Sequence, residues 1–138
     1  MIEAIIKHLK EKGCEVGLCG SKVTCDPAPT ETDTDYLVLS CTKDQMKEIF
    51  HYLVEKGFFW EGDEHYAEQG ITNFFSMRWC DFNIILTGNP DFAHRHRTAT
   101  AICKKLNLLK KEDRVMVFQG VLYGNYKTEP EIDERDIF

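Results

Sequence analysis

Asp33-Thr34-Asp35 runs straight into the apolar stretch Tyr36-Leu37-Val38-Leu39. Successive side chains of a strand point to opposite faces, so a strand that is apolar on both must be covered on both and belongs in the middle of a sheet. This predicts a central strand between layers of helices. The same alternation lets Asp33 and Asp35 aim their carboxylates at one spot at the strand's mouth. Paired carboxylates repel unless a cation lies between them, and hard oxygen donors suit magnesium or manganese. A turn with two solvated acids is the other reading of these residues.

The flanking segments supply the layers. Ile2, Ile5, Ile6 and Leu9 recur at helical spacing over 2–12, and Gly13 is a natural stop. A short strand over 14–19 then leads directly into Gly20-Ser21, where backbone N–H groups and a hydroxyl can face a phosphate. Pro27 and Pro29 make 22–32 a loop and allow at most a turn or so of helix after Ser21. A helix over 43–56, capped by Ser40 or Thr42, carries Met46, Ile49, Phe50, Leu53 and Val54 in one stripe. The segments 58–60 and 71–77 read as a hairpin whose loop holds His65 and Tyr66.

The alternation over 78–87 predicts one further strand, with Cys80, Phe82, Ile84 and Leu86 on one face and Trp79, Asp81, Asn83 and Ile85 on the other. A lone acid in such a strand needs a partner, a raised pKa or a metal, which makes Asp81 a candidate third ligand. Asn89 and Pro90 cap and open a helix reaching 106, with Phe92, Ala99, Ile102, Cys103 and Leu106 as its buried face. Its other faces carry His94, Arg95, His96, Arg97, Lys104 and Lys105, and no acid occurs between Phe92 and Lys111. Such a basic face suits a triphosphate or an RNA backbone, or is simply solvated. A last helix over 112–123 places Val115, Met116, Phe118, Gln119 and Leu122 at core-like spacing.

The expected architecture is α+β: a mixed central sheet of about four to five strands flanked by helices. With 138 residues and 43% apolar content, a single domain over 1–125 is expected, followed by an acidic C-terminal tail over 126–138. The formal net charge of -6 argues against coating nucleic acid by bulk electrostatics. No two of the six cysteines form a C-x-x-C pair, so reduced thiols in a cytoplasmic protein are expected. No run approaches the roughly 18 apolar residues of a membrane helix, and no membrane partner is expected.

Apolar-Gly20-Ser21, then Asp33-x-Asp35 on a second strand, then Asp81 and a basic helix: this succession resembles the DNA polymerase beta-like nucleotidyltransferase superfamily. More loosely, the runs 81–87 and 106–125 look like small nucleotidyltransferase-like proteins carried by bacteriophages, which would place the chain in a host cytoplasm. The resemblance implies transfer of a nucleoside monophosphate from an NTP to a hydroxyl of RNA or protein, with release of pyrophosphate. It implies catalytic and Mg2+- or Mn2+-binding roles for Asp33, Asp35 and Asp81, and phosphate contacts at Gly20 and Ser21. Arg97 and Lys105 are the expected nucleotide-binding cations. A third acid on a neighbouring strand could complete a site for two ions about 4 Å apart. Larger members of that superfamily have a second, helical domain, for which these 138 residues are expected to leave no room beyond the two C-terminal helices, so the acceptor site would come from those helices, the hairpin loop or a partner subunit in a homo-oligomer. The rival readings are a catalytically silent member of the fold that binds nucleotide, RNA or a host protein as a regulator, and a phosphodiesterase or nuclease using the same acids.

Overall fold

The computed structural model describes residues 1–30, 33–40, 42–63 and 74–124. His65, Tyr66, Cys41, the start of the second hairpin segment and the acidic tail lie outside the described residues. In chain order the elements are α1 (Ile2–Glu11), β1 (Glu15–Cys19), α2 (Ser21–Thr24), β2 (Thr34–Leu39), α3 (Lys43–Glu55), β3 (Phe59–Asp63), β4 (Phe74–Trp79), β5 (Phe82–Thr87), α4 (Pro90–Leu106) and α5 (Lys111–Tyr123). The strands form one five-stranded sheet in the order β1-β2-β5-β4-β3. β2 and β5 run parallel, and the other neighbours are antiparallel. The protein is therefore α+β with a mixed sheet flanked by helices.

The alternation within β2 divides the core. Val38 faces a cluster with Ile5 and Leu9 of α1 and with Ile49 and Leu53 of α3, closed from the sheet by Met77, Ile84 and Leu86. Leu37 faces the opposite way, into a cluster with Phe92 and Ala93 of α4 and Leu122 of α5. Several of these side chains are fully buried, and each such Leu or Ile contributes about 2 kcal/mol through removal from water. As expected, β2 is interior to the sheet and covered on both faces.

Local chemistry explains the helix ends. The Thr42 side chain accepts a hydrogen bond from the Gln45 N–H, opening α3. Asn89 accepts from the Asp91 and Phe92 N–H groups, with Pro90 at the first helical position of α4. Asn107, in a left-handed conformation, closes α4. α2 stops after one turn, as the prolines downstream require. Among the described residues no helix is long and apolar enough to cross a membrane.

Three expectations are corrected. The strand expected over 78–87 is two strands: Arg78 and Trp79 belong to β4, the chain turns at Cys80 and Asp81, and β5 begins at Phe82. Cys80 takes φ 52° to make that turn. Because Trp79 pairs with Phe82 across the hairpin, the two share a face and their rings stack, centroids 5.9 Å apart. On α4, His96 and Thr100 are buried with Phe92, Ala93, Ala99 and Cys103, while Leu106 is exposed. On α5, Leu122 is buried, but Met116 is 70% exposed and Gln119 is also outward.

Candidate active site

Ser21, Asp33 and Asp35 meet at one cavity of about 370 Å³ on the α4/α5 side of the sheet. β1 delivers Ser21 through Gly20, which caps α2 with φ 76° and ψ -172°, a combination confined essentially to glycine. The glycine is also required by contact. A Cβ built on Gly20 would stand 2.0 Å from Asp35 Oδ2 and 2.8 Å from its Cγ. The backbone before Ser21 thus lies directly against the Asp35 carboxyl group, in agreement with the pairing of Cys19 with Asp35 between β1 and β2.

The two acids have different surroundings. Asp33 accepts a hydrogen bond from Arg78 Nη1 at 2.8 Å, and Arg78 also binds Glu61 of β3 through its Nε. These two carboxylates hold the Arg78 guanidinium more strongly protonated than usual. Asp35 is more enclosed, and burial pushes its carboxyl pKa up. A hydrogen bond from Asn83 acts against that rise, the Asp33 charge adds to it, and Arg78 and Lys22 oppose it. Lys22 is held nearby by donating to Thr34 Oγ1 at 2.6 Å.

Asp81 is not part of this group. It lies exposed in the β4–β5 turn, where its carbonyl accepts the Thr34 N–H at 2.8 Å. The residue opposite Asp35 on β5 is Asn83, whose Oδ1 accepts from Ser76 Oγ at 3.2 Å. A neutral amide therefore stands where a third carboxylate was expected. Among the described residues no three His, Cys, Asp or Glu side chains come together as a metal site. Asp33 and Asp35 by themselves suit one hard divalent cation, since Mg2+ commonly takes one or two carboxylates and completes its shell with water and phosphate oxygens.

The expected cations are elsewhere. Arg97 Nη2 bonds Glu15 Oε2 at 2.7 Å, and Lys105 is exposed on α4; neither lines the cavity. The basic residues that do are Lys111 and Arg114, both from α5. Arg114 is anchored, its Nη1 donating to the Leu108 and Leu109 carbonyls at 2.9 and 2.8 Å. The spacing of Lys111 and Arg114, one helical turn apart, is the sequence signal that could have found them.

The inner wall of the cavity is apolar, formed by Phe74 and Ile85 from the sheet and Val115, Phe118 and Leu122 from α5. His96 of α4 brings an imidazole to it. That ring packs against Phe92 and Phe118, with centroids 5.9 and 4.9 Å away. Burial, aided by the charge of Arg97, lowers its pKa to about 4, so the ring is neutral at physiological pH. Its Nδ1 is buried without a hydrogen-bond partner among the described residues. No family model matches the chain, and a search of curated proteins also finds no match.

Proposed function

We propose that this protein transfers a nucleoside monophosphate from an NTP to a hydroxyl of RNA or protein, with Asp33 and Asp35 as the ligands of one Mg2+ or Mn2+ ion. The observation that carries this reading is the meeting of Ser21, Asp33 and Asp35 at a cavity whose other wall supplies Lys111 and Arg114. A bound divalent ion would neutralise triphosphate charge and polarise the phosphoryl oxygen under attack. Ser21 and the backbone beside Gly20 would receive the outer phosphates, and Lys111 would offset the charge that gathers on the departing pyrophosphate. The acceptor oxygen forms a bond to the α-phosphorus as the bond to the bridging oxygen breaks. The electron pair leaves with pyrophosphate, and the hydroxyl proton passes to water.

Labelled NTPs with Mg2+ or Mn2+ and total RNA or cell lysate test the proposal. Label should enter RNA or protein, and Asp33→Ala and Asp35→Ala should each reduce transfer by on the order of a hundredfold or more, the usual scale for losing a charge-stabilising group. Cleavage of RNA without NTP would point instead to a phosphodiesterase.

A second reading, nucleotide binding without turnover, is favoured by the Arg78–Asp33 ion pair and by Asn83 opposite Asp35. Binding of NTP with no label transfer would select it. Asn83→Asp bears on both readings. A third carboxylate should tighten Mn2+ binding by on the order of tenfold, equivalent to about 1.4 kcal/mol. It should also lower the melting temperature of the metal-free protein, because like charges in a partly buried site repel. Calorimetric titration with Mn2+ and thermal unfolding with and without the ion measure the two effects.

A further inference from the structure

The cavity at Asp33 and Asp35 has two chemically distinct parts. Its polar part, with Ser21, the two acids and Lys111, accounts for a triphosphate and an ion. The rest is an apolar recess between Phe74 and Ile85 on the sheet and Phe118 and Leu122 on α5, which a triphosphate has no reason to enter. At about 370 Å³ the whole space falls in the range of roughly 300–1,000 Å³ typical of small-molecule sites. His96 also lines the cavity: its side chain is only 6% exposed, and its Nδ1 is buried with no hydrogen-bond partner among the described residues.

A buried polar atom without a partner is destabilising, so such an atom calls for a partner from outside the chain, water or a ligand. The imidazole also lines a second cavity of about 270 Å³, bounded by Leu37, Arg97 and Thr100. The ring borders both cavities, and a χ2 rotation, a torsion that is broad for histidine, would turn Nδ1 toward one of them. Held neutral, the ring offers one donor and one acceptor, which matches the mixed donor and acceptor edge of a nucleobase. The ring of Phe118 beside it offers a flat apolar surface to a base.

We propose that the recess receives the base of the nucleoside triphosphate and that His96 reads the hydrogen-bonding edge of that base, which makes it the residue that sets nucleotide specificity. This rests on the NTP reading above. The full chain is titrated calorimetrically with ATP, GTP, CTP, UTP and inorganic tripolyphosphate, each with Mn2+. One nucleotide should bind at least about tenfold more tightly than the least favoured one and than tripolyphosphate, the discrimination expected when a buried polar group is left unpaired. His96→Phe should bring the four nucleotides to within about twofold of one another and leave tripolyphosphate binding unchanged, with His96→Gln retaining part of the ranking. Phe118→Leu, a milder change, should weaken every nucleotide and not tripolyphosphate. Equal binding of all four nucleotides and tripolyphosphate by the wild-type chain would overturn the proposal while leaving the triphosphate site standing. An unchanged ranking in a folded His96→Phe or His96→Gln would remove His96 from the role. Failure of even tripolyphosphate to bind would overturn the NTP reading itself.

Discussion

Replacing Gly20 with alanine is expected to lower the stability of the fold by about 3 kcal/mol and to remove the nucleotide binding proposed above. Two costs combine. Gly20 has φ 76° and ψ -172°, where a side chain costs on the order of 1–3 kcal/mol. The new methyl would also stand 2.0 Å from Asp35 Oδ2, so the carboxyl group or the strand beneath it must shift. For a domain of this size the loss corresponds to a fall in melting temperature of roughly 10 °C. The second cost depends on the Asp35 carboxyl group, and the first does not. A double-mutant cycle with Asp35→Ala therefore isolates it, with a favourable coupling of about 1 kcal/mol expected. Urea unfolding of the two single variants and the double variant measures this. A loss below about 0.5 kcal/mol in Gly20→Ala would show that the close approach of β1 to Asp35 is not a feature of the protein.

β2 and its acids were legible because their information is local. A run apolar on both faces has one stable environment, and the two-residue period fixes which side Asp33 and Asp35 share. The β4–β5 hairpin was not, since Trp79-Cys80-Asp81-Phe82 has no Gly, Asn or Pro, and its one turn-favouring residue, Asp81, fits the alternation of a continuous strand equally well. Reading through it kept the even and odd faces of β5 correct but moved the acid into the sheet. On the face assigned to Asp81, the residue that reaches Asp35 is Asn83, two positions further on.

The misplacement of the basic residues has a different cause. Arg97 pairs with Glu15, which lies far away in sequence, and no periodicity in α4 predicts that contact. His96, set between Arg95 and Arg97, reads as one more member of a basic face. It is inside because α5 returns across α4 and places Phe118 over it. That return depends on the loop after Asn107 being held by Arg114 through the Leu108 and Leu109 carbonyls, a tertiary arrangement with no sequence period. Lys111 ends the acid-free basic stretch that the sequence shows; what the sequence missed at the site is Arg114 and the apolar recess that α5 closes against Phe74 and Ile85.

The buried imidazole leads to a large pH effect. His96 has a folded-state pKa of about 4 against the ordinary histidine value of 6.5, so between those values the unfolded chain binds the proton and the folded one does not. Stability should therefore fall as pH falls: the contribution of His96 is complete above pH 6.5 and gone below about pH 4, a loss of about 3 kcal/mol. Asp35 acts with the opposite sign. Its folded pKa is raised, chiefly by burial, so its contribution is present below the ordinary carboxylate value and is lost as pH rises through the folded one. In the lower part of the window the two slopes oppose each other, which makes single substitutions the decisive measurement. His96→Phe should flatten the decline between pH 6.5 and pH 4. Asp35→Asn should stabilise the metal-free protein at neutral pH by removing a partly buried charge, and should abolish any stabilisation by Mn2+. Urea midpoints across this range for the three proteins provide the test. A wild-type decline that persists undiminished in His96→Phe would show that the imidazole is not the titrating group and that the recess it lines is more open to water than its packing against Phe92 and Phe118 indicates.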